Sequence, residues 1–512
     1  MKFMTTRKHF SQVETAALLI GCFEGEPGIG LSSFVDTAGG GNLTTQTAIE
    51  GFTGKVGETL IYVPFGSIAA KRVIAVGLGK RAKFGNDELR KALAAGFKVC
   101  REKKLSEVTV TEVPLTGTKV TQYQFAVAVA SVSGLIDYEI NHNKTGIMGF
   151  KQRAHLDDLS LLTLKKTSAP TRRGLFAGRI GAQAVNFARD MSNLPAGELT
   201  PTAFVEEAKR IAAESGGLID IKVHNMDELH VLGANGILAV SKGSDEPCYL
   251  IEMTYTPPTG ATKDVLGLVG KAVCFDSGGL DIKPAEGMRH MKRDMSGGAA
   301  VLATIEAVAA LRLPISVKAY MAPVENMING KSYKPGDRIR MMGGITVEVD
   351  NTDAEGRLTL ADMITHALRT GGVTHIVDVA TLTGAVRQVT ADVAAGLFSN
   401  NDAFAKQVKE AGAGVGEKYE HLTMWPELRE FNRSDIADLK NSGGPRGAGA
   451  CTAAWFIREF AGEVIPWVHL DIASVAFREF EVGIDPKGST GFSVLTLLEL
   501  AGAFAKKSVK AE

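Results

Sequence analysis

Residues 265–270 read VLGLVG, residues 295–312 read MSGGAAVLATIEAVAALR, and residues 315–322 read ISVKAYMA. The first and third segments are apolar and strand-like, whereas the middle one has the composition of an alanine-rich helix with a glycine-rich start. A strand, a helix and a strand in this order predict an α/β unit with a mainly parallel sheet. The alternation continues with predicted strands at Thr346–Val349 and His375–Ala380 and a predicted helix at Leu358–Arg369.

The N-terminal part of the chain shows the same alternation in a weaker form. Short apolar runs bounded by glycines predict strands at Leu60–Pro64 and Arg72–Gly77. Helical spacing follows at Asp87–Lys103, and Glu107–Val110 returns to a strand pattern. This order predicts a second, smaller α/β unit before the one described above.

The two predicted units are connected by a polar segment with a proline at 165–173 and by a helix at Gly174–Met191. We therefore predict an α/β fold of two α/β domains joined by a helix. The smaller N-terminal domain, in 1–165, has a mixed or parallel sheet and serves assembly or regulation. A linker and the connecting helix occupy 166–192, and the larger C-terminal domain, in 193–512, has a mainly parallel central sheet.

Composition narrows the class of protein. Apolar residues make up 45% and charged residues 22% of the 512 residues, which is typical of a soluble globular protein. Lys plus Arg equals Asp plus Glu at 57 each, so no net charge attracts nucleic acid or an anionic membrane. No apolar run approaches the roughly 18 residues that span a bilayer. Five scattered cysteines without a CxxC pair indicate reduced thiols, and hence a cytoplasmic protein.

Two segments carry acidic residues at the ends of strand-like runs. One begins KAVCFDSGG at 271–279, and the other is NTDAEGRL at 351–358. In an extended stretch Asp353 and Glu355 point to the same side, which costs free energy unless a cation lies between them. The alternative is structural: Asp353 caps the helix that starts near Leu358, and Glu355 favours its N-terminus.

Asp276 and Asp294 add two further carboxylates to this group. Four carboxylates at strand ends match the oxygen ligands of two-metal hydrolases, where the ions lie roughly 3.5–4 Å apart. Lys271 and Lys283 lie among these acids and are also consistent with simple ion pairs. The residues alone therefore leave a metal site and a salt-bridge cluster equally open.

Other kinds of site have no supporting pattern. The chain contains no HExxH motif and no GxSxG motif, which argues against a zincin and against a serine hydrolase. Its ten histidines show no ligand spacing. The glycine-rich stretches at 39–41 and 77–80 match neither a phosphate-binding loop nor a dinucleotide fingerprint and indicate tight turns.

The octapeptide NTDAEGRL at 351–358 resembles the signature of the leucyl aminopeptidase family of metallopeptidases. The spacing of Lys271, Asp276, Lys283 and Asp294, which is 5, 7 and 11 residues, is similar to that of the same family. The resemblance continues through DVATLTGA at 378–385 and WVHLDIA at 467–473. It covers roughly 190–500, where a catalytic metallopeptidase domain is implied, and is looser in the N-terminal part.

The resemblance implies two divalent metal ions per subunit, Mn²⁺ or Zn²⁺. Lys271, Asp276, Asp294 and Glu355 would hold the tighter ion, while Asp276, Asp353 and Glu355 would hold the more exchangeable one. A lysine ligand must be neutral, so the pKa of Lys271 would be strongly depressed by the adjacent cations.

The family also implies roles for residues that do not bind metal. Lys283 would stabilise the oxyanion formed on the scissile carbonyl, and Arg357 would hold a bicarbonate anion that acts as general base. The expected product is an N-terminal amino acid, preferably leucine or another apolar residue, released from a peptide substrate. The predicted substrate-binding residues are Met291, Asn351, Thr381, Gly384 and the stretch around Ala450.

Members of the family assemble as homohexamers of paired trimers, which we expect here by resemblance. The chain has Ala272, Cys274 and Ser474 where the family commonly has Gly, Thr and Gly; these departures bear on substrate preference and packing.

Two other functions compete with the peptidase. Some bacterial relatives also bind DNA, for which the basic pairs Lys165-Lys166 and Arg172-Arg173 are the candidates, although the charge balance does not support it. A metal-dependent phosphatase could use the same carboxylates, but Lys271 as a ligand and the octapeptide argue against it.

Overall fold

The computed structural model describes residues 1–26, 36–37, 40–66, 68–140, 155–163, 167–444 and 447–511, with side chains to residue 506. Lys165-Lys166 and Gly39 lie outside the described residues. The chain forms two compact units. The first contains Met1–Gln183 and Phe480–Lys487, and the second contains Ala184–Glu479 and Gly488–Glu512.

The first unit is built on a six-stranded sheet. Its strands are β1 (Lys2–Thr6), β2 (Ala17–Phe23), β3 (Thr59–Tyr62), β4 (Val73–Gly79), β5 (Glu107–Thr111) and β6 (Asp158–Leu162). They lie in the order β1-β6-β5-β2-β4-β3, and all neighbours are parallel except β3 and β4. The mixed sheet predicted from the sequence is therefore confirmed.

The strands of this sheet carry apolar side chains on both faces, and helices cover them. The helices are α1 (Asn42–Ile49), α2 (Asn86–Glu102), α3 (Gln122–Ile136) and the first part of α4 (Ala169–Asn193), with short 3₁₀ turns at Phe10–Gln12 and Arg81–Lys83. Leu19 and Val76 belong to one buried cluster with residues of α2 and α3, whereas Leu18 and Ala75 belong to another. Burial on both faces is typical of a parallel sheet.

The connecting helix α4 starts earlier than the sequence indicates. The predicted linker at 165–173 is wrong in its second half, because Ala169 to Arg173 are already helical. Pro170 is compatible with a first helical turn, where its missing N–H has no partner to lose. Ser168 Oγ accepts a hydrogen bond from the backbone N–H of Thr171 at 3.2 Å.

The sequence analysis places residues 193–512 together, yet Phe480–Lys487 packs with the first unit. There Glu481 forms ion pairs with Lys98 at 2.9 Å and with Arg101 at 3.1 Å. Local sequence carries no signal for a contact between residues nearly 400 positions apart.

The second unit is built on an eight-stranded sheet. Its strands and those of two small accessory sheets are β7 (Ile219–His224), β8 (Leu250–Tyr255), β9 (Val265–Asp276), β10 (Ser316–Asn326), β11 (Arg338–Arg340), β12 (Thr346–Glu348), β13 (His375–Ala380), β14 (Ala395–Ser399), β15 (Tyr419–His421), β16 (Leu439–Lys440), β17 (Trp467–Asp471), β18 (Phe477–Arg478) and β19 (Gly488–Ser489). The large sheet has the order β15-β14-β17-β13-β9-β10-β8-β7. Its four central strands, β17, β13, β9 and β10, are parallel, as predicted.

Helices pack against this sheet. They are the rest of α4, α5 (Pro201–Glu214), α6 (Met226–Leu232), α7 (Asn235–Ser241), α8 (Ala285–Met288), α9 (Ser296–Leu311), α10 (Gly356–Thr370), α11 (Val386–Thr390), α12 (Asp402–Val415), α13 (Gly449–Ala461) and α14 (Val494–Ala511), with 3₁₀ turns at Met291–Arg293 and Pro426–Asn432. Helix α9 approaches β13 closely, since a Cβ on Gly297 would lie 2.0 Å from the carbonyl oxygen of Val379. Glycine is therefore required at the start of this helix.

Among the described residues, the helical stretch Met291–Leu311 is long and apolar enough to cross a membrane by length and composition alone, although charged residues interrupt its apolar run. Its mean hydropathy is 1.3, and 83% of it is buried inside the protein. A stretch buried to this extent is typical of a core helix.

The central strands extend beyond their predicted ends, and this places the functional residues. Strand β9 continues from the predicted Gly270 to Asp276, and β10 continues from Ala322 to Asn326. The two strands pair in parallel as far as Asn326 and Asp276, with a one-residue register shift between Val324 and Glu325. Their carboxyl ends therefore meet at one edge of the sheet, where open α/β sheets bind ligands.

Candidate metal centre

The residues singled out in the sequence converge at this carboxyl edge. Lys271 and Asp276 belong to β9, and Asp294 follows the 3₁₀ turn Met291–Arg293. Asp353 and Glu355 precede helix α10. Apart from Asp353, which is partly exposed, these side chains are at least 96% buried.

Lys271 lies between two of the carboxylates. Its Nζ is 2.6 Å from Asp294 Oδ2 and 2.8 Å from Glu355 Oε1, and it donates a hydrogen bond to the carbonyl oxygen of Thr381 at 3.0 Å. A Cβ on Gly356 would lie 2.6 Å from Lys271 Cε. The glycine of the octapeptide thus leaves room for the lysine to reach Glu355.

Lys283 lies between the other two carboxylates. Its Nζ is 2.7 Å from Asp276 Oδ2 and is also in contact with Asp353 Oδ1. The other oxygen of Asp276 accepts hydrogen bonds from Asn326 Nδ2 at 2.8 Å and from the backbone N–H of Gly278 at 2.9 Å. Asp276 is therefore held in a fixed orientation at the end of its strand.

The stretch containing Asp353 and Glu355 forms a turn, so the extended conformation expected from the sequence is wrong. Asn351 Oδ1 accepts the backbone N–H of Asp353 at 2.7 Å, and this local hydrogen bond favours a turn over an extended chain. Glu355 occupies the N-cap of α10 but makes no side-chain cap hydrogen bond. Asp353 is therefore not the cap of this helix, whereas the position of Glu355 is compatible with the alternative that its charge favours the helix N-terminus.

The free energy of this arrangement is dominated by burial of negative charge. Burial, with the charge of Glu355 adding to it, raises the pKa of Asp276 above its ordinary value, although Lys283 and Lys271 act against this. Burial raises the pKa of Asp353 to about 7, with Asp276 and Glu355 contributing. The pKa of Asp294 lies well above its ordinary value, mainly because of burial. For three of the four carboxylates, the nearby positive charge is therefore too small to offset the effect of burial on the pKa.

The lysines respond in the opposite sense. Burial acts to lower the pKa of Lys271, but the negative charges of Asp294, Glu355 and Asp276 outweigh it and raise the pKa. Burial also acts to lower the pKa of Lys283, but the nearby negative charges, of which Asp276 is the largest influence, outweigh burial and raise the pKa. For Glu355, burial acts to raise the pKa, but Lys271 and Lys283 hold it below its ordinary value.

These side chains fit a divalent cation. Asp276, Asp353 and Glu355 each offer one oxygen, and the three oxygens lie within 4.8 Å of one another. Within the described part of the chain, Asp294 Oδ2, Asp353 Oδ1 and Glu355 Oε1 are buried without an aligned hydrogen bond, although each faces a lysine. Oxygens of this kind are the hard ligands that divalent cations take in hydrolases.

Arg357 lies in the first turn of α10, close behind the acids. Its Nη1 donates to the carbonyl oxygen of Asn441 at 2.7 Å, whereas its buried Nε finds no hydrogen-bond partner among the described residues. Burial lowers the pKa of Arg357 to about 10, so the guanidinium remains charged at neutral pH. A cation near a helix N-terminus is suited to binding an anion.

The predicted substrate-binding residues surround the cluster to different degrees. Thr381 Oγ1 donates to Asp294 Oδ1 at 2.7 Å, and Met291 accepts the backbone N–H of Asp294 at 3.2 Å. Gly384 is exposed with open space on its Cβ side. Ala450 packs in a small apolar cluster with Ala385, the neighbour of Gly384.

Sequence reasoning missed the residues that brace the turn. Asn441 Oδ1 accepts the backbone N–H groups of Asp350 and Asn351 at 2.8 and 3.1 Å, while its Nδ2 donates to the carbonyl oxygen of Asn351 at 2.7 Å. Tyr333 OH donates to the carbonyl oxygen of Thr352 at 2.6 Å. Single polar residues far along the chain carry no local signal of such contacts.

The histidines show no ligand spacing along the chain, yet two of them meet in space. His224 and His366 come together with Glu252 in a second group whose ligand atoms lie within 4.8 Å of one another. Spacing along the chain fails here because three separate elements supply the side chains.

Comparison with known families now adds to this geometry. Residues 186–498 match the model of the catalytic domain of the cytosol aminopeptidase family, and residues 19–146 match the model of its N-terminal domain. The chain is 38% identical over 507 residues to a probable cytosol aminopeptidase of Alkaliphilus metalliredigens, covering 99% of this chain and 100% of the relative. It is 40% identical over 450 residues to a probable cytosol aminopeptidase of Roseiflexus castenholzii, covering 88% of this chain and 90% of the relative.

Solved structures are also similar to this chain over nearly its full length. The bottromycin maturation enzyme BotP in complex with Mn superposes with a TM-score of 0.84 at 32% identity, covering 96% of this chain and 100% of that one. A variant of tomato leucine aminopeptidase gives a TM-score of 0.86 at 29% identity, covering 98% and 96%.

Proposed function

The chain belongs to the cytosol aminopeptidase family, and we propose that it releases N-terminal leucine and other apolar residues from peptides with the help of two divalent metal ions. Membership of the family makes the protein a metallo-aminopeptidase that uses a divalent metal and acts on peptides. The observation that carries the two-metal proposal is the buried group of four carboxylates around Lys271 and Lys283.

In this proposal Lys271, Asp276, Asp294 and Glu355 hold one ion, and Asp276, Asp353 and Glu355 hold the other. The support is the shortage of positive charge around these acids, together with the manganese bound by BotP. As a ligand Lys271 must give up its proton, and two nearby cations would lower its pKa for this purpose. Bound ions supply Lewis acidity toward water and toward the amine and carbonyl of a peptide.

In the metal-free protein the flanking carboxylates raise the pKa of Lys283, and in this scheme Lys283, which binds no metal, keeps its proton. Its ammonium group stabilises the negative charge that develops on the scissile carbonyl oxygen. One preorganised donor of this kind contributes about 10²–10³-fold to the rate.

Arg357 holds a bicarbonate anion that accepts the proton of the attacking water. The support is threefold: Arg357 is 92% buried, its Nε is without a partner in the described part of the chain, and it lies in the first turn of α10. Bicarbonate is small enough to bind a guanidinium through two parallel hydrogen bonds.

Substrate preference depends on the wall formed by Met291, Thr381, Gly384 and the stretch around Ala450, with Asn351 holding the turn below. The open space beside Gly384 leaves room for an apolar side chain, and the cluster that contains Ala450 lies next to it in an apolar environment. The proposal also includes assembly as a homohexamer and a cytoplasmic location. The family supports both, and the free thiols of Cys100, Cys248, Cys274 and Cys451 support the location.

The test is hydrolysis of leucine p-nitroanilide by the metal-stripped protein before and after addition of Mn²⁺ or Zn²⁺. We expect the metal to restore cleavage in the wild type but not in Asp353→Ala. The matched control is Asp350→Ala, which removes an exposed carboxylate three residues away and should leave the activity unchanged.

N-acetyl-leucine p-nitroanilide should resist cleavage, because an aminopeptidase requires a free amine. Cleavage of the acetylated substrate, or full activity in Asp353→Ala, would show that the proposal is wrong. Bicarbonate should stimulate the wild type more than Arg357→Ala, and equal stimulation would remove the bicarbonate from the scheme.

A further inference from the structure

A second group of ligand-type side chains lies away from the carboxylate cluster. His224 is the last residue of β7, Glu252 belongs to β8, and His366 belongs to α10. His366 follows Arg357 by nine residues on the same helix, a distance of about 14 Å at 1.5 Å per residue. The group is therefore not part of the catalytic centre.

The sheet register explains why these side chains meet. Glu252 lies opposite Lys222 on one neighbouring strand and opposite Tyr320 on the other. His224 is two residues beyond Lys222, so its side chain points to the same face as Glu252. Residues of α10 share one buried cluster with Tyr320, which places the helix on this face. His366 is thereby directed at Glu252 and His224.

The contacts within the group are close but incomplete. His366 Nε2 lies 3.1 Å from Glu252 Oε2, and the rings of His224 and His366 are 5.3 Å apart at an angle of 77°. His224 is 97% buried, yet its Nε2 has no hydrogen-bond partner among the described residues. A buried nitrogen without a partner is costly to the folded state, and a ligand at this position would offset that cost.

We propose that His224, Glu252 and His366 form a Zn²⁺ site that links the edge strands β7 and β8 to helix α10. Two imidazoles and one carboxylate are a ligand set typical of zinc, with water in the fourth position. Manganese and magnesium prefer oxygen ligands and match the carboxylate cluster better. Closing the group around zinc requires the ligand atoms, now within 4.8 Å of one another, to approach to about 3.3 Å for bonds of about 2.0 Å.

The protonation states suit coordination. Burial, assisted by the charges of Lys222 and His366, lowers the pKa of His224, so its imidazole is neutral near pH 7. The hydrogen bond from His366 is the largest influence on Glu252 and lowers its pKa, so this side chain is a carboxylate. The Glu252 side chain is 15% exposed, which gives an ion access from solvent.

The competing explanation is a metal-free hydrogen-bonded pair of His366 and Glu252 beside a neutral His224. Lys222 and Lys318 favour it, because their positive charges oppose a cation. Two contacts weaken this objection. The ammonium group of Lys318 donates a hydrogen bond to the carbonyl oxygen of Gly371 at 3.1 Å. The negative charge of Glu228 opposes the effect of Lys222 on the pKa of His224. A structure at the zinc edge separates the two explanations.

The experiment uses crystals of the full-length protein, equilibrated with micromolar Zn²⁺ in the presence of Mn²⁺ and then washed free of unbound metal. We expect an anomalous peak at the zinc absorption edge between His224 and His366, in addition to any peak in the carboxylate cluster. No peak at the three residues would overturn the proposal without affecting the proposed peptidase activity.

Metal analysis in solution provides the second arm. Dialysed His224→Gln and Glu252→Gln should each contain one equivalent of zinc per chain less than the wild type. The matched control His421→Gln, a change to a histidine of β15 outside the group, should not lose zinc. Equal zinc content in all four proteins, or a crystal site filled only at millimolar Zn²⁺, would contradict the proposal.

Discussion

Two buried acidic regions of the second unit differ in how their negative charge is compensated. In the carboxylate cluster, four acids face two lysines, and three of the oxygens lack an aligned hydrogen bond within the described chain. Asp362, on the same helix α10 as Arg357, is also fully buried. Its Oδ2 accepts the backbone N–H groups of Gly236 and Ile237 at 2.7 and 3.1 Å, and its Oδ1 accepts that of Met342 at 3.0 Å.

The difference separates the acids of the proposed metal centre from an acid that is bonded by the backbone. Burial raises the pKa of Asp362 to about 7, so a perturbed pKa alone does not distinguish the two regions. The two regions differ in the groups that bond their carboxylate oxygens. Two backbone N–H groups from the start of α7, where a helix N-terminus has unpaired donors, bond one oxygen of Asp362, and the N–H of Met342 bonds the other. The oxygens of the cluster remain available to a cation.

The largest expected effect is on catalysis, in Asp294→Asn. Loss of a metal ligand should remove several kcal/mol of transition-state stabilisation, which corresponds to about 10³-fold in kcat/KM. The unfolding midpoint of the metal-free variant should stay within a few degrees of wild type or rise, because one of four crowded charges is removed. A large loss of stability would show that Asp294 serves the fold in the way that Asp362 does.

Asp362→Ala should give the opposite result. It leaves three buried N–H groups unsatisfied, so the free energy of unfolding should fall by at least about 2 kcal/mol near pH 6. Activity per folded molecule should change little. Urea denaturation followed by fluorescence tests this, since all three tryptophans, Trp425, Trp455 and Trp467, belong to the second unit.

The control for this stability measurement is Asp245→Ala, which removes an exposed loop carboxylate and should stay within about 0.5 kcal/mol of wild type. If Asp362→Ala unfolds at the same urea concentration as Asp245→Ala, then the backbone hydrogen bonds of Asp362 contribute nothing measurable.

The smallest expected effect is in the pH dependence of stability. A carboxyl group whose pKa is raised by folding stabilises the fold fully below its unfolded pKa of about 3.9 and loses this contribution as the pH rises through about 7. The stability advantage of wild type over Asp362→Ala should therefore shrink from about pH 5 to about pH 8, by a quantity on the order of 2 kcal/mol. An advantage that is constant over this range would place the pKa of Asp362 in the folded protein elsewhere.

The candidate site residues could be named from the sequence because they lie in two short segments. Lys271, Asp276, Lys283 and Asp294 lie within 24 consecutive positions, and the octapeptide supplies the rest. Residue type and spacing alone left a metal site and a salt-bridge cluster equally open, and the resemblance of the octapeptide to the leucyl aminopeptidase signature favoured the metal site. The conformation of the octapeptide was not predicted, because its turn is held by Asn441, about 90 residues further along the chain, as well as by the local contact of Asn351.

The order of the strands and helices was also accessible from the sequence, because hydrophobic periodicity is a local property. The predicted and observed elements agree through most of the second unit, including His375–Ala380 without any shift. The ends of β9 and β10 were placed too early, because hydrogen bonds to a neighbouring strand extend a strand past its apolar run.

By itself, the sequence determined the α/β class, the succession of the elements and the candidate acids of the proposed metal centre, because each of these signals lies in a short stretch of the chain. Only the tertiary structure decided that Asp362 is satisfied by backbone donors, that Asn326 orients Asp276, and that His224, Glu252 and His366 converge. The physical reason is that sheet register and helix packing bring together residues more than 100 positions apart, such as His224 and His366, and these contacts leave no periodic signal in the chain.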